Sequence, residues 1–259
     1  MDLGVGTVAL LTGAAFVAGV VDTIAGGGGL LTIPALMAAG VPPVSAIATS
    51  KVQSAFCAAS AVHTFARSGR IDLRSIVRPA IGASVGAVLG GAAVQFVDPA
   101  FLTGLVPVLL VMMAGYFAFA PRVSDEDRHA RFNARALLAT ATAIGFYDGF
   151  FGPGTGSFLA AALVAWFGMG LVKATAHAKV LNLSSNLGAL LVLGIGGKVL
   201  WPLGLLMAIS SSAGGRLGAH LTLRAGTRLI RPMLVTMSLL LTAKLLMGVG
   251  DWLSSLFAS

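Results

Sequence analysis

Lys51 and Lys179 each stand inside a long apolar run, 128 residues apart. An ammonium group among apolar side chains is costly, so it marks either a functional site or a side chain that snorkels to a polar boundary. Both have polar company: Thr49, Ser50, Gln53 and Ser54 near Lys51, and His177, Asn182, Ser184, Ser185 and Asn186 near Lys179. Residues three or four apart share a helix face, which groups Lys51 with Ser54, and Lys179 with Asn182 and Thr175. A fixed cation with small hydroxyls and amides suits an oxyanion such as sulfite, a sulfonate or sulfate.

Two glycine-rich breaks add backbone donors. They are Ala25-Gly26-Gly27-Gly28-Gly29 and Gly152-Pro153-Gly154-Thr155-Gly156, each followed by a short apolar run. A half-helix that starts at such a break points unsatisfied N–H groups and a partial positive charge at whatever fills it. The candidate anion site therefore comprises Gly27, Gly28, Gly29, Gly154, Thr155 and Gly156, with Thr49, Ser50, Lys51, Ser54, His177, Lys179 and Asn182. Arg216, in Gly214-Gly215-Arg216, is a candidate second cation. Asp22 and Asp148 precede the breaks by four residues. Pairing with the lysines, protonation during transport and capping of the half-helices are all open to them.

Other chemistries lack their residues. His63, His129 and His220 have no ligand spacing with one another or with Asp, Glu or Cys, so no metal or cofactor is expected. No Walker loop, nucleophile elbow or catalytic carboxylate pair occurs, so an enzyme is not expected either.

The elements that position these groups must lie in a membrane. The 259 residues are 57% hydrophobic and 10% charged, with a mean hydropathy of +0.93. A soluble domain carries about a quarter charged residues. At roughly 20 apolar residues per span, the length allows about eight to ten crossings and no appended soluble domain. The net charge of +8 and pI near 10.6 do not signal nucleic-acid binding, because the basic residues are scattered between apolar runs. The single cysteine, Cys57, has no intrachain partner. Met1-Asp2-Leu3 has no basic region before the first apolar run, which reads as a retained span.

Apolar runs fall at 3–24, 29–40, 44–66, 76–97 and 101–120, then at 136–150, 156–168, 172–195, 200–222 and 229–249. Between them lies the polar stretch 121–135, a linker between a first repeat (1–120) and a second (136–259). Shifted by 128, Gly40–Ser54 lies on Gly168–Asn182, matching Val44/Val172, Ala48/Ala176 and Lys51/Lys179. The same shift pairs Ser84, Gly86, Leu89 and Gly90 with Ser212, Gly214, Leu217 and Gly218. A shift of 126 pairs Asp22 with Asp148 and Gly26 with Gly152. The first half concentrates Arg67, Arg70, Arg74 and Arg78 in one loop region, whereas the second carries Arg224, Arg228 and Arg231 in the following one. Cytoplasmic loops collect Lys and Arg, so equivalent loops should lie on opposite sides. The expectation is an all-α polytopic membrane protein of two inverted-topology repeats with glycine-broken short helices. Both termini would be periplasmic and 121–135 cytoplasmic.

The stretch Asp22-Thr23-Ile24-Ala25-Gly26-Gly27-Gly28-Gly29-Leu30-Leu31-Thr32-Ile33-Pro34 resembles the signature of the sulfite exporter TauE/SafE family. Gly145–Phe158 and Lys173–Asn182 are similar to its YfcA-like branch. The resemblance covers nearly the whole chain. It implies a bacterial inner-membrane transporter of sulfur oxyanions or organosulfonates, driven by an ion gradient with proton or sodium as coupling ion. It leaves room for a homodimer. The chain departs from the family at Ala48-Thr49-Ser50-Lys51, where members often have Gly-Thr-Asn-Lys. It departs again at Ser210-Ser211-Ser212, where a Gly-Gln pair is common. Both departures bear on the substrate. An anion channel on the same repeat and a non-transporting scaffold subunit are the rival expectations.

Overall fold

The computed structural model describes residues 4–98, 101 and 131–226, and every regular element among them is helical. The runs at 229–249 and 101–120 (Phe101 aside), and the 121–135 stretch as far as residue 130, lie outside the described residues. Eight α-helices are described: α1 (Val5–Ala25), α2 (Gly28–Ala38), α3 (Pro43–Arg67), α4 (Leu73–Ala93), α5 (Ala134–Phe150), α6 (Thr155–Ala165), α7 (Leu171–Ile195) and α8 (Trp201–Ala225). A single 3-10 turn, Val94–Phe96, follows α4.

Local chemistry sets the ends. Pro43 opens α3, where its fixed φ suits the first turn and its missing N–H has no acceptor to lose. The side chains of Asp72 and Asn133 accept from the N–H groups of Arg74 and Ala136, capping α4 and α5. The breaks arise at Gly26 (φ 75°) and Gly152 (φ 98°), in a left-handed region that costs glycine little. After each break comes an 11-residue helix, α2 or α6. At 1.5 Å per residue such a helix is ~16 Å long, about half of a ~30 Å hydrocarbon core.

Packing recurs in pairs. α4 lies along α5 and α7, α8 lies along α1 and α3, and α3 touches α7 at the centre. The contacts are small-residue contacts. A methyl group on Gly86 or Gly90 of α4 would run into the carbonyls of Thr142 or Phe146 on α5. One on Gly214 of α8 would meet the carbonyl of Phe16 on α1 in the same way. Close backbone approach of this kind is how helices associate where burial from water offers no driving force.

Two further contacts tie the halves together. The Thr49 hydroxyl on α3 accepts from the Leu200 N–H at 3.1 Å, at the start of α8. Nε2 of His177 on α7 accepts from the Asp72 N–H at 3.2 Å, at the start of α4. Nδ1 of the same ring lies 2.8 Å from the Lys173 carbonyl, which assigns the ring proton to that nitrogen.

Outward faces stay apolar. On α4, Leu73, Val77, Ile81, Val85 and Leu89 are exposed at four-residue spacing. Val5–Ala25, Leu73–Phe96 and Leu171–Ile195 are long and apolar enough to cross a membrane. α3 and α8 have the length, at 25 residues each, but a more polar composition.

Overpacking the α4–α5 seam with Gly90→Val should cost about 1–3 kcal/mol. A melting curve of the detergent-purified protein checks this. Thr49→Val, which leaves the Leu200 N–H without its partner, should lower stability by about 1–3 kcal/mol in the same measurement.

Candidate functional site

The two breaks meet. A methyl on Gly26 would collide with the backbone of Gly156, Gly29 lies against Pro153, and the Ser157 hydroxyl donates to the Ala25 carbonyl. The Tyr147 hydroxyl donates to the Pro153 carbonyl at 2.7 Å and holds the second break from within its own half. The first turns of α2 and α6 therefore start at one place, where the N–H groups of Gly28, Leu30, Thr155 and Ser157 are bonded to Asp22, Gly27, Gly152 and Gly154 and those of Gly29 and Gly156 face the junction.

α3 and α7 bring one lysine each to this junction. Lys51 Nζ lies 2.8 Å from Asp148 Oδ1, and Lys179 Nζ lies 2.7 Å from Asp22 Oδ2. Both pairs cross between halves, since Lys51 and Asp22 precede the polar stretch while Asp148 and Lys179 follow it. All four residues are buried. Removing one member of a buried pair costs about 3–5 kcal/mol, because the remaining charge is left uncompensated.

The glycines make room for the charges. A methyl on Gly152 would lie 2.6 Å from Lys51 Nζ, and one on Gly28 would lie 2.6 Å from Asp22 Cβ. The aspartates have further donors. The Gly28 N–H reaches Asp22 Oδ1 at 3.1 Å, so this carboxylate caps α2 while holding Lys179. Asp148 Oδ1 accepts from the Thr155 hydroxyl at 2.8 Å, and its Oδ2 accepts from the Ser185 hydroxyl at 2.6 Å.

A polar cavity opens at the junction. It is lined by glycines of both breaks, by Ile33, and by Asp22, Ser50, Lys51, Ser54, Asp148, Thr155, Asn182 and Asn186. Among the described residues, neither the Ser54 hydroxyl nor the Asn182 amide makes a hydrogen bond, so both can donate to an occupant. Lys51 stands on the same wall with its ammonium paired to Asp148, so the cavity presents a hydroxyl and an amide beside buried positive charge.

Of the residues expected from sequence, the structure brings Asp22, Gly29, Ser50, Lys51, Ser54, Asp148, Thr155, Gly156 and Asn182 to the cavity wall. Lys179 stands directly behind Asp22. Gly27 and Gly154 are the residues just before α2 and α6, and Gly28 opens α2. Thr49 and His177 are elsewhere, capping α8 and α4 from the opposite half. Arg216 is exposed on α8, off the cavity wall. Asn186, Gly26 and Gly152 line the cavity without having been placed in the expected site. Asn186 lies four residues after Asn182, so helical spacing alone groups them. Ser185, the partner of Asp148, follows Asn182 by three residues and is grouped in the same way. No group of three His, Cys, Asp or Glu able to hold a metal ion occurs among the described residues.

The sequence matches the family described as sulfite exporter TauE/SafE over residues 11–245. It is 43% identical over 251 residues to a probable membrane transporter protein of Haemophilus influenzae, covering 96% of this chain and 98% of that one. It is 45% identical over 233 residues to the probable membrane transporter protein YfcA of Escherichia coli K12, covering 90% and 87%. A probable membrane transporter protein of Sinorhizobium sp is 42% identical over 246 residues, covering 95% and 94%. No solved structure matches. With a family match spanning most of its length and relatives above 40% identity end to end, the chain belongs to the sulfite exporter TauE/SafE family of membrane proteins.

Proposed function

We propose that the protein is a secondary transporter that moves a small sulfur-containing anion, sulfite or an organosulfonate, across the bacterial inner membrane by alternating access. The observation that carries this reading is the pair of crossed lysine–aspartate contacts at two abutting helix breaks, open to a polar cavity in an otherwise apolar molecule. Lys51 and Lys179 supply positive charge, the starts of α2 and α6 supply N–H donors, and Ser54 with Asn182 shapes the occupant.

The transport cycle rests on two inverted repeats, residues 1–120 and 136–259, joined by a cytoplasmic linker at 121–135. Helix correspondence supports it: α3 and α7 begin and end 128 residues apart, α4 and α8 begin 128 apart, and α2 and α6 are offset by 127. Counting 101–120 and 229–249 as spans gives an odd number of crossings per half, which inversion requires. Both termini then face the periplasm. Rocking one half against the other exposes the junction to each side in turn. Such rocking strains the crossed pairs, and an anion that replaces a carboxylate on lysine relieves that strain. The family name supports an anion of sulfur as cargo, and the printed names of the relatives support membrane transport.

In proteoliposomes, Lys51→Ala and Lys179→Ala should each abolish flux of sulfite and sulfoacetate. Lys179→Met combined with Asp22→Asn leaves no orphaned charge and should insert normally, yet remain inactive. Wild-type flux in these variants would remove the site assignment. Counterflow separates carrier from channel, since trans substrate accelerates uptake only through a carrier. Asn182→Ala should weaken binding of the transported anion by about ten- to a hundredfold, the loss of one hydrogen bond to a charge, as read by thermal shift.

A further inference from the structure

The two ion pairs are not equivalent. Asp148 is held at both oxygens by side chains of its own half, Thr155 and Ser185, in addition to Lys51. Among the described residues, Asp22 accepts from Lys179 and from one backbone N–H, that of Gly28, at the longer distance of 3.1 Å. The Asp22 side chain is 12% exposed and the Asp148 side chain 2%.

This asymmetry is written in the sequence. At the shift of 128 the counterpart of Ser185 is Cys57, whose sulfur donates to the Gly19 carbonyl at 3.5 Å and lies 3.6 Å from the Thr23 hydroxyl. The residue that opens α6 is Thr155, with a hydroxyl for Asp148, and the residue that opens α2 is Gly28, with none for Asp22. The unengaged Asn182 amide sits three residues after Lys179, on the same face of α7.

We propose that Lys51–Asp148 is a fixed strut, whereas Lys179–Asp22 is an exchangeable pair that couples anion uptake to one proton. The inference rests on the transporter reading above. An incoming sulfonate or sulfite takes Lys179, with Asn182 as a second donor. Asp22, released, takes up one proton from the aqueous side from which the anion entered. Lysine–carboxylate plus monoanion (a sulfonate or hydrogen sulfite) plus proton becomes lysine–anion plus carboxylic acid, so the buried centre carries the same net charge before and after. Without the proton, an uncompensated carboxylate would remain buried.

Among the described residues, the other titratable groups near Asp22 are already engaged or turned away from it. Of the helices packed against α1, α2 and α6 carry none. α3 presents Cys57, already bonded, and Lys51, held with Asp148 across the cavity. His63 and Arg67 of α3, and Arg216, His220 and Arg224 of α8, are exposed. On α7, His177 caps α4, and Lys173 lies in the first turn, six residues before Lys179.

Calorimetric titration of the full-length protein in detergent tests the proposal, with sulfoacetate, methanesulfonate and sulfite as probes. In buffers of differing ionisation heat, the wild type should take up about one proton per anion beyond the anion's own ionisation. Methanesulfonate, a monoanion throughout, should bind about tenfold tighter for each unit fall in pH across the neutral range. Asp22→Asn should bind without that dependence. Before any anion is added, Asp148→Asn should melt at a lower temperature than Asp22→Asn, because the strut loses more donors. Binding without proton uptake in the wild type, or an unchanged pH slope in Asp22→Asn, overturns the exchange and leaves the transporter reading intact. No binding of any probe overturns the transporter reading itself.

Discussion

An ammonium group surrounded by apolar helices is tolerated only when a carboxylate meets it, and here each lysine finds its carboxylate in the other half of the chain. That requirement organises the centre. α3 and α7 must touch so that Lys51 and Lys179 reach one junction, and α1 and α5 must end there so that Asp22 and Asp148 can answer. The breaks make the room, since a methyl on Gly152 would press on the Lys51 head and one on Gly26 would press on the backbone of the opposing break.

Backbone satisfaction gives the second constraint. Broken helices within a membrane need partners for their free N–H and C=O groups, and those partners come from the opposing break and from side chains of the same half. Ser157 serves Ala25, the Asp22 carboxylate serves the Gly28 N–H, and Tyr147 serves Pro153. The same groups that make the fold permissible also make the centre polar, so the stability and chemistry of the site share their atoms. A substitution there cannot be read as purely one or the other without a charge-balanced control.

Much of this was legible in the sequence, because composition, glycine breaks and repeated lysines all signal at short range. Helix limits fall within a few residues of the expected runs, the largest difference being the end of α4 at Ala93 against 97. Pairing across the halves was not legible. A residue's place on its helix tells which face it occupies and leaves open which neighbour arrives there, so the aspartates had several possible roles. Thr49 and His177 show a missed signal. Each stands two residues before its lysine, on a different helix face, and that face meets the start of α8 or α4. Arg216 was grouped with the site because a charge in an apolar run invites it, but its face of α8 is exposed.

The crossing of the pairs also sets an order for biogenesis. Lys51 waits 97 residues for Asp148, and Asp22 waits 157 for Lys179. While the ribosome is still extending the second half, the nascent chain holds two opposite charges whose final partners do not yet exist. Both charges are answered only when α5 and α7 arrive, so the centre of the first half is completed by the second.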